Sequence, residues 1–323
     1  MRVLITGVFG YLGSRIAQAL KNEGFYVIGV SKDKKITNDQ NIVDEWHQFD
    51  ALNDDDYKII EALKPEIVLH LISLDHATSE DDLNLAKKTN FDPTFKLLDN
   101  LKNSTTLKKF IYISTIHIYE EALGKEITED SKISPKNMYA LTHYLSETAI
   151  NYFDKIVDFE CINLRLSNSY GEPALENKGC WNLVVNNLCK SAVRNNEIII
   201  KSNGEQSRDF IHYKTVCEVL IDIIRLKDKI NNKNKTYNLS SGKSIKIKEL
   251  AIDIKRIYGK IKNNNIKIFI NSNVPLSNFE RSSNIDNSNV IIYSNKKISN
   301  LIKLKQISMD EVIKNIIYYL IEN

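Results

Sequence analysis

Arg2-Val-Leu-Ile-Thr-Gly-Val-Phe-Gly-Tyr-Leu-Gly13 decides the fold: a short apolar run enters glycines spaced G-x-x-G-x-x-G. Gly7 permits the tight turn that leaves a strand, and Gly10 lets a phosphate approach the main chain. Gly13 lets the next helix pack close to the sheet. That helix, predicted over Tyr11–Glu23, aims its free N–H groups at a pyrophosphate. Ile16, Leu20 and Phe25 continue its apolar face. Within this strand-turn-helix context the glycines imply a dinucleotide site rather than an ordinary turn.

Alternation continues outward from this unit. Tyr26–Val30, Ile67–Leu71, Lys109–Ile113 and Glu160–Leu164 read as strands. Asp54–Leu63, Asn84–Lys102 and Ala140–Asp154 read as helices between them. Repeated β-α units predict an α/β, Rossmann-type doubly wound parallel sheet, whose ligands lie at the carboxyl ends of the strands. Residues 1–170 form the dinucleotide-binding domain in this reading. Residues 171–323 are mainly a smaller substrate-binding region, with about 208–240 returning to the core. There Trp181–Arg194 and Thr215–Leu226 read as helices, and Glu197–Ser202 as a strand. Asn263–Ser299 carries no clear pattern. A final helix starts near Met309, where Ser308 and Glu311 have capping-box spacing.

The bulk properties exclude several classes. A chain of 323 residues with 42% hydrophobic and 26% charged residues is an ordinary globule, and a net charge of +3 attracts no nucleic acid. No apolar run approaches the roughly 20 residues of a membrane span, and the N-terminus reads as a strand, not a leader. Cys161, Cys180, Cys189 and Cys217 lack C-x-x-C spacing, which suggests buried thiols in a cytoplasmic protein. His47, His70, His76 and His212 have no metal-ligand spacing, so no metal is expected.

A second cluster carries chemistry: Tyr112-Ile-Ser-Thr-Ile-His-Ile-Tyr119, then Tyr139-Ala-Leu-Thr-His-Tyr-Leu-Ser-Glu147. A strand-end hydroxyl and a tyrosine entering a helix can meet over a nicotinamide ring, the tyrosine exchanging a proton with a substrate hydroxyl. With these motifs the chain resembles an extended short-chain dehydrogenase/reductase of the NAD-dependent epimerase/dehydratase, nucleotide-sugar-modifying family. The resemblance spans nearly the whole chain: Thr6–Gly13, Asp50, His70–Ser73, Asn90–Thr94, Ser114–Tyr119, Tyr139–Glu147, Leu164–Gly171 and Gly204–His212.

The resemblance implies that Tyr139 is the catalytic acid/base, with Thr115 orienting the substrate oxygen and His143 contacting the nicotinamide ribose. It places Gly7, Phe9, Gly10, Tyr11, Leu12, Gly13, Ser31, Lys32, Asp50, Ala51, Leu71, Ser73, Asn90 and Ser114 around the cofactor. Thr115, Asn168, Arg208 and Arg281 would hold the substrate, a nucleoside-diphosphate sugar. A guanidinium also suits phosphate oxygens on its own chemistry. The implied function is reversible hydride transfer at a ring carbon, C4, in surface polysaccharide synthesis, by a homodimer paired through Asn84–Lys102 and Ala140–Asp154. A ketoreductase or dehydrogenase is the first reading, and a 4-epimerase with tightly held NAD is the alternative. Ile116 and His117 stand where 4,6-dehydratases place an acidic pair, which argues against elimination.

Two departures from the family pattern matter. The family expects lysine four residues after the tyrosine, where this chain has His143. A histidine on the same helical face can bond a ribose, yet with an ordinary pKa near 6.5 it supplies little fixed charge. Either its protonation makes catalysis pH-sensitive, or the protein is a catalytically silent dinucleotide-binding or sensor protein. Second, strand two ends Val30-Ser-Lys-Asp-Lys-Lys35 without the usual acidic residue, although Asp33 could still reach a ribose. Ser31 cannot repel a 2′-phosphate, and Lys32, Lys34 or Lys35 could attract one, so NAD(P)(H) is expected with NADP(H) favoured over NAD(H).

Overall fold

A computed structural model describes residues 1–32, 42–121, 123–175, 179–232, 234–272, 274–276 and 290–323. The first half runs β1 (Arg2–Thr6), α1 (Tyr11–Asn22), β2 (Tyr26–Ser31), β3 (Glu45–Gln48), α2 (Tyr57–Ala62), β4 (Ile67–His70), α3 (His76–Asp81), α4 (Leu83–Ala86), α5 (Asp92–Leu101), β5 (Lys109–Thr115), β6 (Glu126–Ile127), α6 (Met138–Phe153) and β7 (Glu160–Leu166). The second half adds β8 (Asn168–Tyr170), α7 (Val184–Asn195), β9 (Glu197–Ile199), β10 (Ser207–His212), α8 (Tyr213–Arg225), β11 (Thr236–Leu239), β12 (Ser244–Lys246), α9 (Ile247–Lys262), β13 (Lys267–Ile270), β14 (Val274–Pro275), β15 (Ile292–Tyr293), α10 (Lys296–Ser299) and α11 (Met309–Glu322).

Seven parallel strands form the central sheet in the order β11-β7-β5-β4-β1-β2-β3. The order reverses at β1, where doubly wound sheets open a ligand crevice. One face of the sheet packs Val3, Ile5, Leu69 and Ile111 with Ile16 and Leu20 of α1 and Val216, Leu220 and Ile223 of α8. The other packs Leu4, Val68 and Phe110 with Leu97 and Leu101 of α5 and Ile150 of α6. β11 extends the sheet after α8, so the chain re-enters the core after β10. A second core joins α7, α9 and α11 around Val185, Leu250, Ile254, Ile313 and Ile316.

Two local expectations change. The helix read over Asn84–Lys102 is broken into α4, a π-helical turn Lys87–Phe91, and α5. Pro93 lacks an N–H and its ring crowds the carbonyl four residues back, so the ladder cannot run straight through this point. Ser308 caps α11 in position, but its side chain makes no capping bond, so the capping-box pair with Glu311 is not formed.

Several polar groups inside this core are joined in one line. Leu71 N–H donates to Thr6 Oγ1 (3.1 Å), which pairs with His70 Nδ1 (2.7 Å); His70 Nε2 pairs with Thr94 Oγ1 (3.1 Å). Thr94 then donates to Ser146 (3.2 Å), and Ser146 to the Asn90 carbonyl (3.1 Å). This buried line ties β1, β4, α5 and α6 together. Beside it, Arg165 of β7 forks onto Glu147 of α6 through Nε–Oε1 (3.0 Å) and Nη2–Oε2 (2.7 Å), and both side chains are almost wholly buried. Arg165 Nη1 also donates to Tyr119 Oη (2.7 Å), and Tyr119 donates to Asn238 Oδ1 (2.6 Å).

Breaking one member of a buried pair strands the other charge, so Glu147→Gln is expected to cost about 3–5 kcal/mol in chemical denaturation. Glu147→Leu with Arg165→Met should cost less than either single change; equal or larger loss would show that the pair itself is a net stabiliser.

Burial pushes His70, His143 and His212 down to about 3. An unfolded imidazole takes up its proton near 6.5, before the folded one does. Their contribution is therefore complete above about pH 6.5 and is lost as pH falls from there toward 3, at up to about 1.4 kcal/mol per pH unit for each ring. Denaturation midpoints measured from pH 7.5 to 4.5 should fall steeply. His212→Phe, which removes a ring whose nitrogens have no hydrogen-bond partner among the described residues, should flatten that slope.

Candidate active site

The glycine turn has the geometry its sequence requires. Gly7 sits at φ +68°, its N–H bonded to Val30 O (2.9 Å), and Gly10 N–H returns to Gly7 O (2.9 Å). A Cβ on Gly13 would lie 2.4 Å from Gly7 O and 2.9 Å from Val8 O, so only glycine fits there. α1 begins at Gly10 with no side-chain cap and no acidic residue in its first turn, leaving its leading N–H groups for an anion. Tyr11 Oη is tied to Gly171 O (3.1 Å), Phe9 packs toward Trp46, and Leu12 packs on the core. At the carboxyl end of β5 the buried Ser114 hydroxyl has no partner among the described residues. The cradle and this orphaned hydroxyl fit a dinucleotide.

At the far end of the crevice, Ser31 is buried and its Oγ accepts from Trp46 Nε1 (3.1 Å). Lys32 is exposed and ion-paired with Asp50 (3.1 Å). Burial raises the Asp50 carboxyl, but the Leu52 N–H and Lys32 outweigh it and hold it below its ordinary value. Ala51 is buried beside it, its carbonyl accepting from Tyr57 Oη (2.8 Å). Arg281, Asp33, Lys34 and Lys35 lie outside the described residues.

Tyr139 enters at the start of α6, capped by Asn137 Oδ1 on Ala140 N–H (2.8 Å). Its ring meets His143 edge-on at 4.5 Å between centroids and has His76 and His117 each at 6.4 Å. Burial raises the phenol; the Thr115 hydroxyl works against that shift and Asp75 adds to it, and the net direction is up. Thr115 itself is buried and accepts from His117 N–H (3.2 Å). His143 is held from both sides, Nδ1 to Tyr112 Oη (2.7 Å) and Nε2 to Ser73 Oγ (3.1 Å). Burial and the neighbouring His117 keep it neutral. Protonation of His143 near physiological pH, one of the two sequence expectations, does not fit this environment.

Asn90 is wholly buried and its amide is spent inside the protein. Oδ1 accepts from Leu74 N–H (2.8 Å), while Nδ2 donates to Thr142 (3.1 Å) and Ser79 (3.3 Å). It shapes the loop that carries Leu71 and Ser73, and so acts on the crevice without facing it. Sequence reading gave Tyr112 no role and missed its contact with His143, which only the pairing of β5 with α6 brings about.

A cavity of about 500 Å³ is lined by Ile116, the residue after Thr115, and by Asn168, Gln206, Arg208, Lys246 and Tyr293 among others. Asn168 is held by its donation to Asp209 O (2.8 Å), and Lys246 is paired with Glu205 (3.1 Å). Burial, and then the charge of Arg208, push His117 down to about 4; Arg208 makes no ion pair among the described residues. Trp181 packs against Tyr319 (5.9 Å) in the second core rather than into this cavity. The four cysteines are buried and free. Among the described residues no cluster suits a metal, and no helix is long and apolar enough to cross a membrane.

Known proteins agree with this architecture. A UDP-glucose 4-epimerase of Thermotoga maritima, solved with UDP-glucose, superposes with a TM-score of 0.81 at 21% identity, covering 100% of this chain and 99% of its own. A UDP-glucuronic acid 4-epimerase of Bacillus cereus, solved with UDP-glucuronic acid and NAD, gives 0.80 at 22% identity with the same coverage. These likenesses carry the fold. In sequence, the dTDP-D-glucose 4,6-dehydratase of Homo sapiens is 25% identical over 271 residues, 78% of this chain and 73% of the human protein. Residues 3–240 match the family as a whole, and the chain therefore belongs to the NAD dependent epimerase/dehydratase family.

Proposed function

We propose that this protein is an NAD(P)-dependent nucleotide-sugar oxidoreductase acting at a sugar ring carbon, C4, in the direction of ketone reduction. The observation that carries this reading is the geometry around Tyr139: a buried phenol beside Thr115, its ring 4.5 Å from that of His143, which is held at both nitrogens by Tyr112 and Ser73. Such a phenol stays protonated at neutral pH, and a protonated phenol is a general acid.

Gly7, Gly10, Gly13 and the start of α1 would hold the pyrophosphate, Asp50 and Ala51 the adenine, and Ser73 and His143 the nicotinamide ribose. When bound, the nicotinamide supplies the hydride that a ketone carbon accepts. Thr115 orients the carbonyl oxygen, and Tyr139 delivers its proton to that oxygen as negative charge develops there. Arg208 and Asn168 at the cavity would fasten the diphosphate and nucleotide of the substrate, with Arg281 as a further candidate. Ser31 and Lys32 favour NADP(H): a serine brings no carboxylate against a 2′-phosphate, and an exposed lysine stands beside it.

The reading extends to a cytoplasmic homodimer in surface polysaccharide synthesis. Leu83, Phe95, Leu141, Leu145 and Tyr152, exposed on α4, α5 and α6, give that pairing an apolar face. Residues 1–170 with about 208–240 would form the dinucleotide domain, and the remainder of 171–323 the substrate region. A tightly held NAD would favour the 4-epimerase instead.

Mass spectrometry of small molecules released on denaturing the purified protein separates these readings. NADP(H) or a nucleotide sugar supports the reductase, and stoichiometric NAD or NADH points to the epimerase. No release, with no binding when both cofactors are added back, leaves a silent relative. Once a substrate is in hand, Tyr139→Phe should abolish turnover. His143→Lys should raise kcat/KM at pH 7 in both directions alike, by up to about tenfold for each unit by which it lowers the Tyr139 pKa. A fall in oxidation over pH 6–9 would show that the imidazole is not a weaker stand-in for lysine.

A further inference from the structure

Hydrogen-bond accounting around His143 singles out a residue that no role yet covers. Ser73 gives its only hydroxyl proton to the Leu74 carbonyl (2.8 Å), so its oxygen can only accept from His143 Nε2. Nε2 therefore carries a hydrogen. Among the described residues no carboxylate bonds the ring, and with one hydrogen on Nε2 a neutral imidazole must accept at Nδ1. The group at Nδ1 is Tyr112 Oη at 2.7 Å, wholly buried and un-ionised because burial raises its pKa. Tyr112 sits on β5, three residues before Thr115, and β5 is the strand that α6 lies over.

We infer that Tyr112 is a positioning residue: its hydroxyl, donating to Nδ1, fixes the His143 ring and tautomer so that the one Nε2–H, taken by Ser73 here, faces the crevice, where a dinucleotide ribose hydroxyl would replace Ser73 as its acceptor. This rests on the dinucleotide reading above. It explains how a neutral side chain can keep the contact made by a lysine, whose ammonium needs no such orientation because all its hydrogens are donors. An imidazole presents one donor and one acceptor. The other tautomer would turn an acceptor toward the ribose and an N–H toward Tyr112, and a flipped ring would put C–H groups where both nitrogens stand. Ser73, exposed at the end of β4, marks the direction in which Nε2 faces.

The test combines side-chain nitrogen NMR of the histidines with calorimetric titration of NADPH and NADH. Wild-type protein is expected to show His143 as a single neutral tautomer, protonated at Nε2. Tyr112→Phe should lose that single state and weaken dinucleotide binding by about three- to tenfold, the effect of one neutral hydrogen bond. Glutamine at 143 carries its own N–H without tautomers. Tyr112→Phe should therefore change affinity less than about twofold in a His143→Gln background, where its orienting work has no object. Equal losses in the two backgrounds would reduce Tyr112 to a packing residue and overturn the inference, as would an unchanged tautomer and affinity in Tyr112→Phe. Should Tyr112→Phe not fold, the pair His143→Gln and His143→Leu decides: retained affinity in the first and loss in the second supports an oriented Nε2–H donor, and equal affinity overturns it. Wild-type protein that binds neither dinucleotide would overturn the functional reading, and this one with it.

Discussion

The Glu147–Arg165 pair is the constraint on which the site depends. It locks α6 to β7, and α6 carries Tyr139, His143, Ser146 and Glu147 along the face turned to the sheet. A buried pair of this kind contributes little net stability over an apolar substitute, because two charges have been taken out of water. What it supplies is register. With Glu147 fixed on Arg165, His143 lies one turn back against Tyr112 and Tyr139 one further turn back beside Thr115, both partners being on β5. Arg165 also reaches Tyr119, and through Asn238 the clamp extends to β11, the last strand of the sheet. The elements that must agree in position for chemistry are thus joined by bidentate and charge-assisted bonds, whose geometry is narrow.

Charge is used sparingly on the reacting side. His70, His117, His143 and His212 are all pushed toward their neutral forms, chiefly by burial, and Tyr139 stays a phenol. A lysine at 143 would bring a fixed positive charge against the tyrosine and favour its anion. The imidazole leaves that charge out. The cations are found instead at the two outer ends of the crevice, Lys32 on the adenosine side and Arg208 at the cavity. This distribution suits anionic ligands held at their phosphates while the reacting carbon meets uncharged donors.

Much of this was legible in the chain, because the relevant signals are local. The glycines, the apolar strand before them and the alternation of β and α segments specify the sheet and its crevice. Tyr139 and Thr115 are readable because each stands at the end of a predictable element. β3 was not: Glu45-Trp-His-Gln48 is short, polar and only half-buried, and it pairs through the register of β2 rather than through its own pattern. The π turn at Lys87–Phe91 hides inside a helical period, and Pro93 was the one sign of it. β11 and α9 follow an Asn/Lys-rich stretch whose composition masks them. The contact between Tyr112 and His143 spans 31 positions and depends on α6 crossing β5, so no spacing rule within either segment could reveal it.

A family lysine performs two tasks with one atom, bonding a ribose and charging the space beside a tyrosine. This chain separates them. In the reading proposed above, the bonding task passes to an imidazole, whose single useful N–H must be aimed, and aiming requires a second residue on another element. The charging task is dropped, and with it goes much of the drive to form a phenolate. In the proposed reading, the loss of that charge leaves Tyr139 as the protonated phenol that a ketone oxygen needs as its acid. The same substitution that makes the site look impaired as an oxidant therefore leaves it equipped as an acid. Its cost falls on structure: Tyr112, Ser73 and His143 must stay mutually aligned, and the buried clamp between α6 and β7 keeps them so.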